Sequence, residues 1–366
     1  MALLLPLDQQ QQQQQQQPPQ EEEETLESVA ERLRNNEGGC SCLNVRMNPG
    51  YEAADVMLLV DAVRANESLE QVEFFGILAD DDVNQATQLL VESFGTLPKL
   101  KLLQVSGHCD NLMGVLSRVL ADVSLTLQQL SLVYVQLSGP PNDFHSFYRS
   151  LAALQKLESF RLVDCQFPRH LQDVGILETI LHRLAHLPVP LLHTLEVAPI
   201  HEKALGDVIS MTTAFTQLLA RQSTTLRHLH VYGFFRGQEI VVPLCQALAS
   251  CHAIQNVRLA STFSQDHCTA IATLMEQHPT LQKLHLDMMV APETNGDTTQ
   301  LRLLALALQH NNTRLTHLNI YATNLVRSLL ADEFGTALQH YNYSLQHLHL
   351  FGCGLSVESF PCHCKD

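Results

Sequence analysis

The chain has 366 residues, 45% hydrophobic and 16% charged, a balance that excludes wholesale disorder and fits two or three ordinary domains or one elongated repeat array. Lys and Arg number 22 against 38 Asp and Glu, a formal net charge of -16. That sign argues against a general binder of nucleic acid or of an anionic membrane. Met1–Leu7 is apolar but short and has no basic flank, so no signal peptide is expected. No run reaches the ~18 apolar residues of a spanning helix. The ten cysteines are scattered, and without an export signal the expectation is reduced thiols in cytosol or nucleus.

In chain order, residues 1–24 come first, with nine consecutive glutamines at 9–17 and four glutamates at 21–24. This leader has nothing to bury and is expected to be disordered. Leu26, Val29, Ala30 and Leu33 then recur at helical spacing, predicting a short amphipathic helix that caps the rest of the chain. From there to about residue 360 the chain repeats the pattern Leu-x-x-Leu-x-Leu, with Val, Ile or Phe allowed. Clear copies begin at Leu127, Leu226, Leu281, Leu315 and Leu345. Others begin at Leu69, Leu100, Leu157, Leu192 and Ile254, and a weaker one at Cys40. First positions are 27 to 35 residues apart. The second and third anchors of each copy point to one face of a strand. Between copies lies an apolar pattern at helical spacing, as in Ala86, Leu89, Leu90 and Phe94 or Leu301, Leu304, Ala305 and Leu308. Asp297 is a candidate N-cap for the second, and Asp80–Asp82 precede a predicted helix, where acids meet free N–H groups. One such unit cannot bury its own apolar face, but stacked units can. Residues 361–366 form a short tail.

These copies, and helix-to-strand segments such as Arg64–Leu69 and Gln309–Leu315, resemble the leucine-rich repeat proteins of the ribonuclease-inhibitor-like type over about residues 40–355. The resemblance implies an α/β leucine-rich repeat solenoid, a horseshoe of about eleven units with parallel strands on the concave face and helices on the convex face. It also implies Asn or Cys at the ninth position of a copy, bonded to loop backbone. Cys165 and Cys353 fit that pattern; Ile77, Val135, Ile200, Phe234 and Met289 depart from it. The spacings of 34 and 35 put regular curvature in question around residues 157–226 and 281–315.

The third, fifth and seventh residues of each copy are then expected to face out of the sheet. In the first six copies these columns hold no histidine. In the last five they hold His228, His230, Tyr232, Arg258, Lys283, His285, His317, Tyr321, His347, His349 and Phe351, against one acid, Asp287. Neighbours in a column are ~4.8 Å apart. The expectation is a locally basic, aromatic-bearing surface on an acidic chain, suited to an acidic or phosphorylated protein partner. Histidines such as His278, His310 and His340 fall at predicted helix ends, where they suit the negative end of the dipole. The cluster of His317, His347 and His349 raises metal binding and pH sensing as secondary ideas, but shows no fixed ligand spacing or supporting carboxylate. Cys362-His363-Cys364 reads as a frayed tail. No phosphate loop, zinc-protease or nucleophile-elbow motif is present. The expected function is therefore non-catalytic protein binding without a cofactor. The alternative is a GTPase-activating or other enzyme-regulating role, which some repeat proteins of this type perform.

Overall fold

The computed structural model describes residues 25–35, 39–76, 81–107, 111–167, 175–198, 208–232, 240–261, 264–288, 299–309, 314–322, 336–338 and 344–351. The glutamine leader, the Cys-His-Cys tail, Asp80, Asp297, His310, His340 and Cys353 lie outside them. The chain opens with helix α1 (Leu26–Arg34) and strand β1 (Cys42–Arg46), then α2 (Ala53–Arg64) and β2 (Gln71–Gly76), and α3 (Asp81–Ser93) with a 3-10 turn before β3 (Leu102–Gly107). Next come α4 (Leu112–Asp122), β4 (Gln129–Val133), α5 (Pro141–Ala152), β5 (Ser159–Val163), α6 (Ile176–Ala185) and β6 (Thr194–Ala198). The C-terminal half follows with α7 (Val208–Arg221), β7 (His228–Val231), α8 (Val241–Ala249), β8 (Asn256–Ser261), α9 (Gln265–Gln277), β9 (Lys283–Met288), α10 (Thr299–Gln309), β10 (His317–Ala322) and β11 (His347–Phe351).

Among the described residues, eleven strands form one open parallel sheet in sequence order. Helices alternate with the strands, and successive helices pack side by side. This is an α/β solenoid. Its cause is the anchor pattern: Leu69, Val72 and Phe74, or Leu281, Leu284 and Leu286, are all buried. Burying each such side chain contributes ~1.5–3 kcal/mol. The intervening residues of a strand stay outside the core, as in the alternation of β1 and β5. Strand pairing never slips. Ser159 pairs with Thr194 and Thr194 with His228, so the 35- and 34-residue units hold the same register as the 27-residue ones. The additional length is accommodated between strands.

Helix α1 caps the N-terminal end. Leu26, Val29, Ala30 and Leu33 are the buried residues, the Thr25 hydroxyl accepts from Ser28 N–H, and the helix lies against α2. Asp81 and Asp82 occupy the first turn of α3, where a negative charge meets the positive end of the dipole.

The eighth position of several units turns the chain out of the strand. Gly107 has φ +85°, and a Cβ there would collide with the carbonyl oxygen of Gly76 in the neighbouring unit. Tyr134 and Asp164 take the same left-handed conformation, φ 55° and 52°, without being glycine. One residue on, Cys165 is buried and its thiol donates to Leu132 O of the preceding unit at 3.3 Å. The resemblance implied a bond to loop backbone at this position, and here the acceptor is a carbonyl within strand β4. Burial pushes this thiol up to about 12. Val135, which cannot make such a bond, is fully buried in the equivalent place.

A second inter-unit device lies three residues before the first anchor. Asn66 donates to Leu33 O at 3.0 Å and accepts from Ser68 N–H and Leu69 N–H, both at 2.9 Å. Cys251 donates to Leu219 O at 3.5 Å. His278 donates from Nε2 to Leu248 O at 3.1 Å and accepts at Nδ1 from Thr280 N–H and Leu281 N–H. In each case one side chain ties a linker to the last turn of the helix in the preceding unit. This corrects the sequence reading of His278. It does not offer a positive charge to the end of its own helix. It is buried, and burial pulls its pKa below the ordinary value.

Among the described residues, no helix is long and apolar enough to cross a membrane.

Candidate functional site

Strand register decides which side chains meet. In the third column, His228 pairs with Asn256, Asn256 with Lys283, Lys283 with His317, and His317 with His347. In the fifth, His230 pairs with Arg258, Arg258 with His285, His285 with Asn319, and Asn319 with His349. In the seventh, Ala260 pairs with Asp287, Asp287 with Tyr321, and Tyr321 with Phe351. Tyr232 directly follows β7, its N–H bonded to Val197 O. Lys283, Tyr321, His347 and His349 are exposed, while His228, His230, Tyr232, Arg258, His285 and His317 are half-buried. The side chain of Phe351 is outside the described set. The other residues of the predicted surface alternate with the apolar anchors of β7–β11, with Tyr232 just after β7.

The rings make ordered contacts. His317 and His347 stack with centroids 4.3 Å apart and planes 27° apart. His285 and Tyr321 stack at 6.1 Å and 19°. The Arg258 guanidinium lies 4.6 Å from the centre of the Tyr232 ring, a favourable cation–π arrangement. His230 meets the edge of the same ring at 6.2 Å.

The charges are less one-sided than the column count implies. Arg258 Nη2 and Nε both donate to Asp287 Oδ2, at 2.9 and 3.1 Å. His285 Nε2 donates to Asp287 Oδ1 at 2.8 Å, and its Nδ1 accepts from Asn319 Nδ2 at 3.3 Å. One carboxylate thus organises β8, β9 and β10. Further along the fifth column, Arg161 Nε donates to Glu196 Oε2 at 2.6 Å. Desolvation, reinforced by Arg227 and Lys283, lowers the pKa of His228. His230 is lowered chiefly by desolvation against an opposing pull from Glu196. His317 is lowered by desolvation and by His347 and Lys283. At neutral pH these three imidazoles are uncharged, and Arg258 is compensated. Among the described column residues of β7–β11, Lys283 is the fixed cation without an ion pair, since Arg258 is paired with Asp287. Beside it in register stands His317.

The hydrogen bonds fix tautomers. Thr316 donates its single hydroxyl proton to Gln282 O at 3.1 Å and so accepts from His317 Nδ1 at 2.8 Å. That leaves His317 Nε2 as an open acceptor beside Lys283. Asp287 was visible in the sequence as an acid in the column, but its bonds to two strands were not. Pairing across 29 residues depends on side-chain angles that no spacing reveals.

Among the described residues, no group of three or more His, Cys, Asp or Glu is arranged to hold a metal ion. The described cysteines are free thiols, and Cys165, Cys245, Cys251 and Cys268 are buried. Burial raises the last three to about 12, 11 and 12, which suits apolar packing rather than nucleophilic chemistry.

No family model matches the chain, and no curated protein matches it. Among solved structures, 54 chains match. One is a structural-genomics protein of Bacteroides fragilis, 12% identical, with 86% of this chain and 74% of that chain covered and a TM-score of 0.43.

Proposed function

We propose that the chain is a leucine-rich repeat protein of the ribonuclease-inhibitor-like type, and that it binds a protein partner on the open face of β7–β11 without chemistry of its own. The observation that carries the reading is the half-ordered polar face itself. Arg258, Asp287, His285 and Asn319 are locked to one another across three strands, while Lys283, His347, His349 and Tyr321 remain exposed beside them. A rigid polar floor with exposed aromatic and cationic groups costs little ordering on association and has the residue types that dominate binding energy at interfaces. Lys283, with His317 beside it in register and His347 stacked on His317, suits an acidic or phosphorylated group. An anion there would favour the protonated form of His317.

The test is the triple variant His228→Ala, Lys283→Ala, His347→Ala. These side chains are not part of the core, so thermal stability should stay close to that of the parent. Capture of phosphorylated and acidic proteins from a cell extract should fall at least about tenfold, equivalent to ~1.4 kcal/mol. Equal capture by variant and parent would remove this face from consideration.

A further inference from the structure

A second pair of histidines lies away from the open face, His182 in the last turn of α6 and His186 at its C-cap. His182 and His186 are one turn apart, and residues four apart share a helix face. Both are exposed, with ring centroids 4.4 Å apart. Their Nδ1 atoms are both engaged. His186 Nδ1 lies 2.7 Å from His182 O. A carbonyl oxygen only accepts, so Nδ1 carries the proton and Nε2 the lone pair. His182 Nδ1 lies 3.1 Å from Gln217 Oε1 on α7, the helix of the next unit, which fixes the same tautomer. An imidazole anchored through one N–H to a carbonyl, with the other nitrogen free, is the arrangement in which protein histidines bind metal. Glu178 stands one turn earlier on α6 and lines the groove between α6 and α7 together with His182 and Gln217.

The stacked His317–His347 pair offers a useful contrast. It has Lys283 in register beside it, and that ammonium repels a cation. The α6 pair instead has a carboxylate one turn away, on a chain whose formal net charge is -16. We propose that His182 and His186 form a two-nitrogen chelate for a borderline-soft divalent transition metal, Cu²⁺ ahead of Ni²⁺ and Zn²⁺, with water completing the coordination. The order follows the general preference of nitrogen sites. Hard cations that take oxygen ligands are not expected to compete. Gln217 acts as a positioning residue: it holds His182 and touches no metal.

The test uses the full chain with accessible thiols alkylated, so that Cu²⁺ is neither reduced nor held by cysteine. Titration with Cu²⁺, followed by electron paramagnetic resonance, should show a first site with two equatorial nitrogens. The double variant His182→Ala, His186→Ala should lose that signal and weaken the first equivalent at least about tenfold. Gln217→Ala should weaken it by roughly the same factor while keeping the two-nitrogen spectrum. His317→Ala with His347→Ala should change neither. An unchanged spectrum and affinity in the His182/His186 variant would overturn the proposal. So would loss of the first site in the His317/His347 variant instead. Because all the substituted side chains are outside the core, circular dichroism matching the parent separates loss of the site from loss of the fold.

Discussion

His278 illustrates how one side chain couples two units. Its Nε2–H meets the last turn of α8, and its Nδ1 accepts two amides of the linker leading into β9. The two bonds accepted at Nδ1 require the neutral ring, whereas the Nε2–H bond survives protonation. Burial lowers its pKa in the folded state, whereas the unfolded chain has the ordinary value near 6.5. Between those two values the unfolded state binds more protons, so stability rises with pH there. The contribution of His278 is fully present above about pH 6.5 and is lost as pH falls through the lowered native value. His278→Ala should destabilise the fold by ~1–3 kcal/mol at pH 7.5, because the Leu248 carbonyl and two amides lose their partner. His278→Asn should retain more stability, since Asn66 makes the same set of bonds at the equivalent position. It should also flatten stability between pH 7 and 5. Urea unfolding across that range measures both effects. An unchanged slope in His278→Asn would show that other groups set the acid sensitivity.

At the scale of the strand and helix, stability comes from an anchor meeting anchors on both sides. Leu318 in β10 is fully buried between Leu284 and Leu348. Leu348 in β11 is only partly buried against the same core. Leu318→Ala should therefore cost ~2–5 kcal/mol, and Leu348→Ala clearly less. In a solenoid, where each unit contacts its neighbours, equal losses would mean that the β10–β11 pairing contributes nothing special. The strands, their order and their register were legible in the sequence, because a buried ladder tolerates only apolar residues at fixed places. The helix of residues 26–34 was legible for the same reason. What stayed hidden were contacts set by side-chain angle. Asp287 joins Arg258 and His285, and Gln217 reaches His182 from 35 residues away. The identity of His278 as a buried staple was hidden too, since a helix-end histidine reads the same whether it points to solvent or into the next unit.

For the molecule as a whole, the division of labour follows from the fold. One sheet face and one face of each helix share a single continuous core, and the opposite sheet face presents three columns whose composition drifts along the solenoid. Its early part holds Asn44 bonded to Glu73 and Arg161 bonded to Glu196. Its later part holds the imidazoles, Lys283 and the tyrosines. The chain is acidic overall, so the proposed acidic partner would be repelled at long range and held by short contacts at this later part; on that proposal its affinity should weaken only gently with salt. Everything depends on alternate residues of β9 facing opposite ways. Single cysteines at Lys283, Leu284, His285 and Leu286 test this most directly, with thiol labelling followed peptide by peptide by mass spectrometry. The solenoid predicts fast labelling at 283 and 285 and protection at 284 and 286. Uniform labelling along the strand, or protection of 283 and 285, would contradict it.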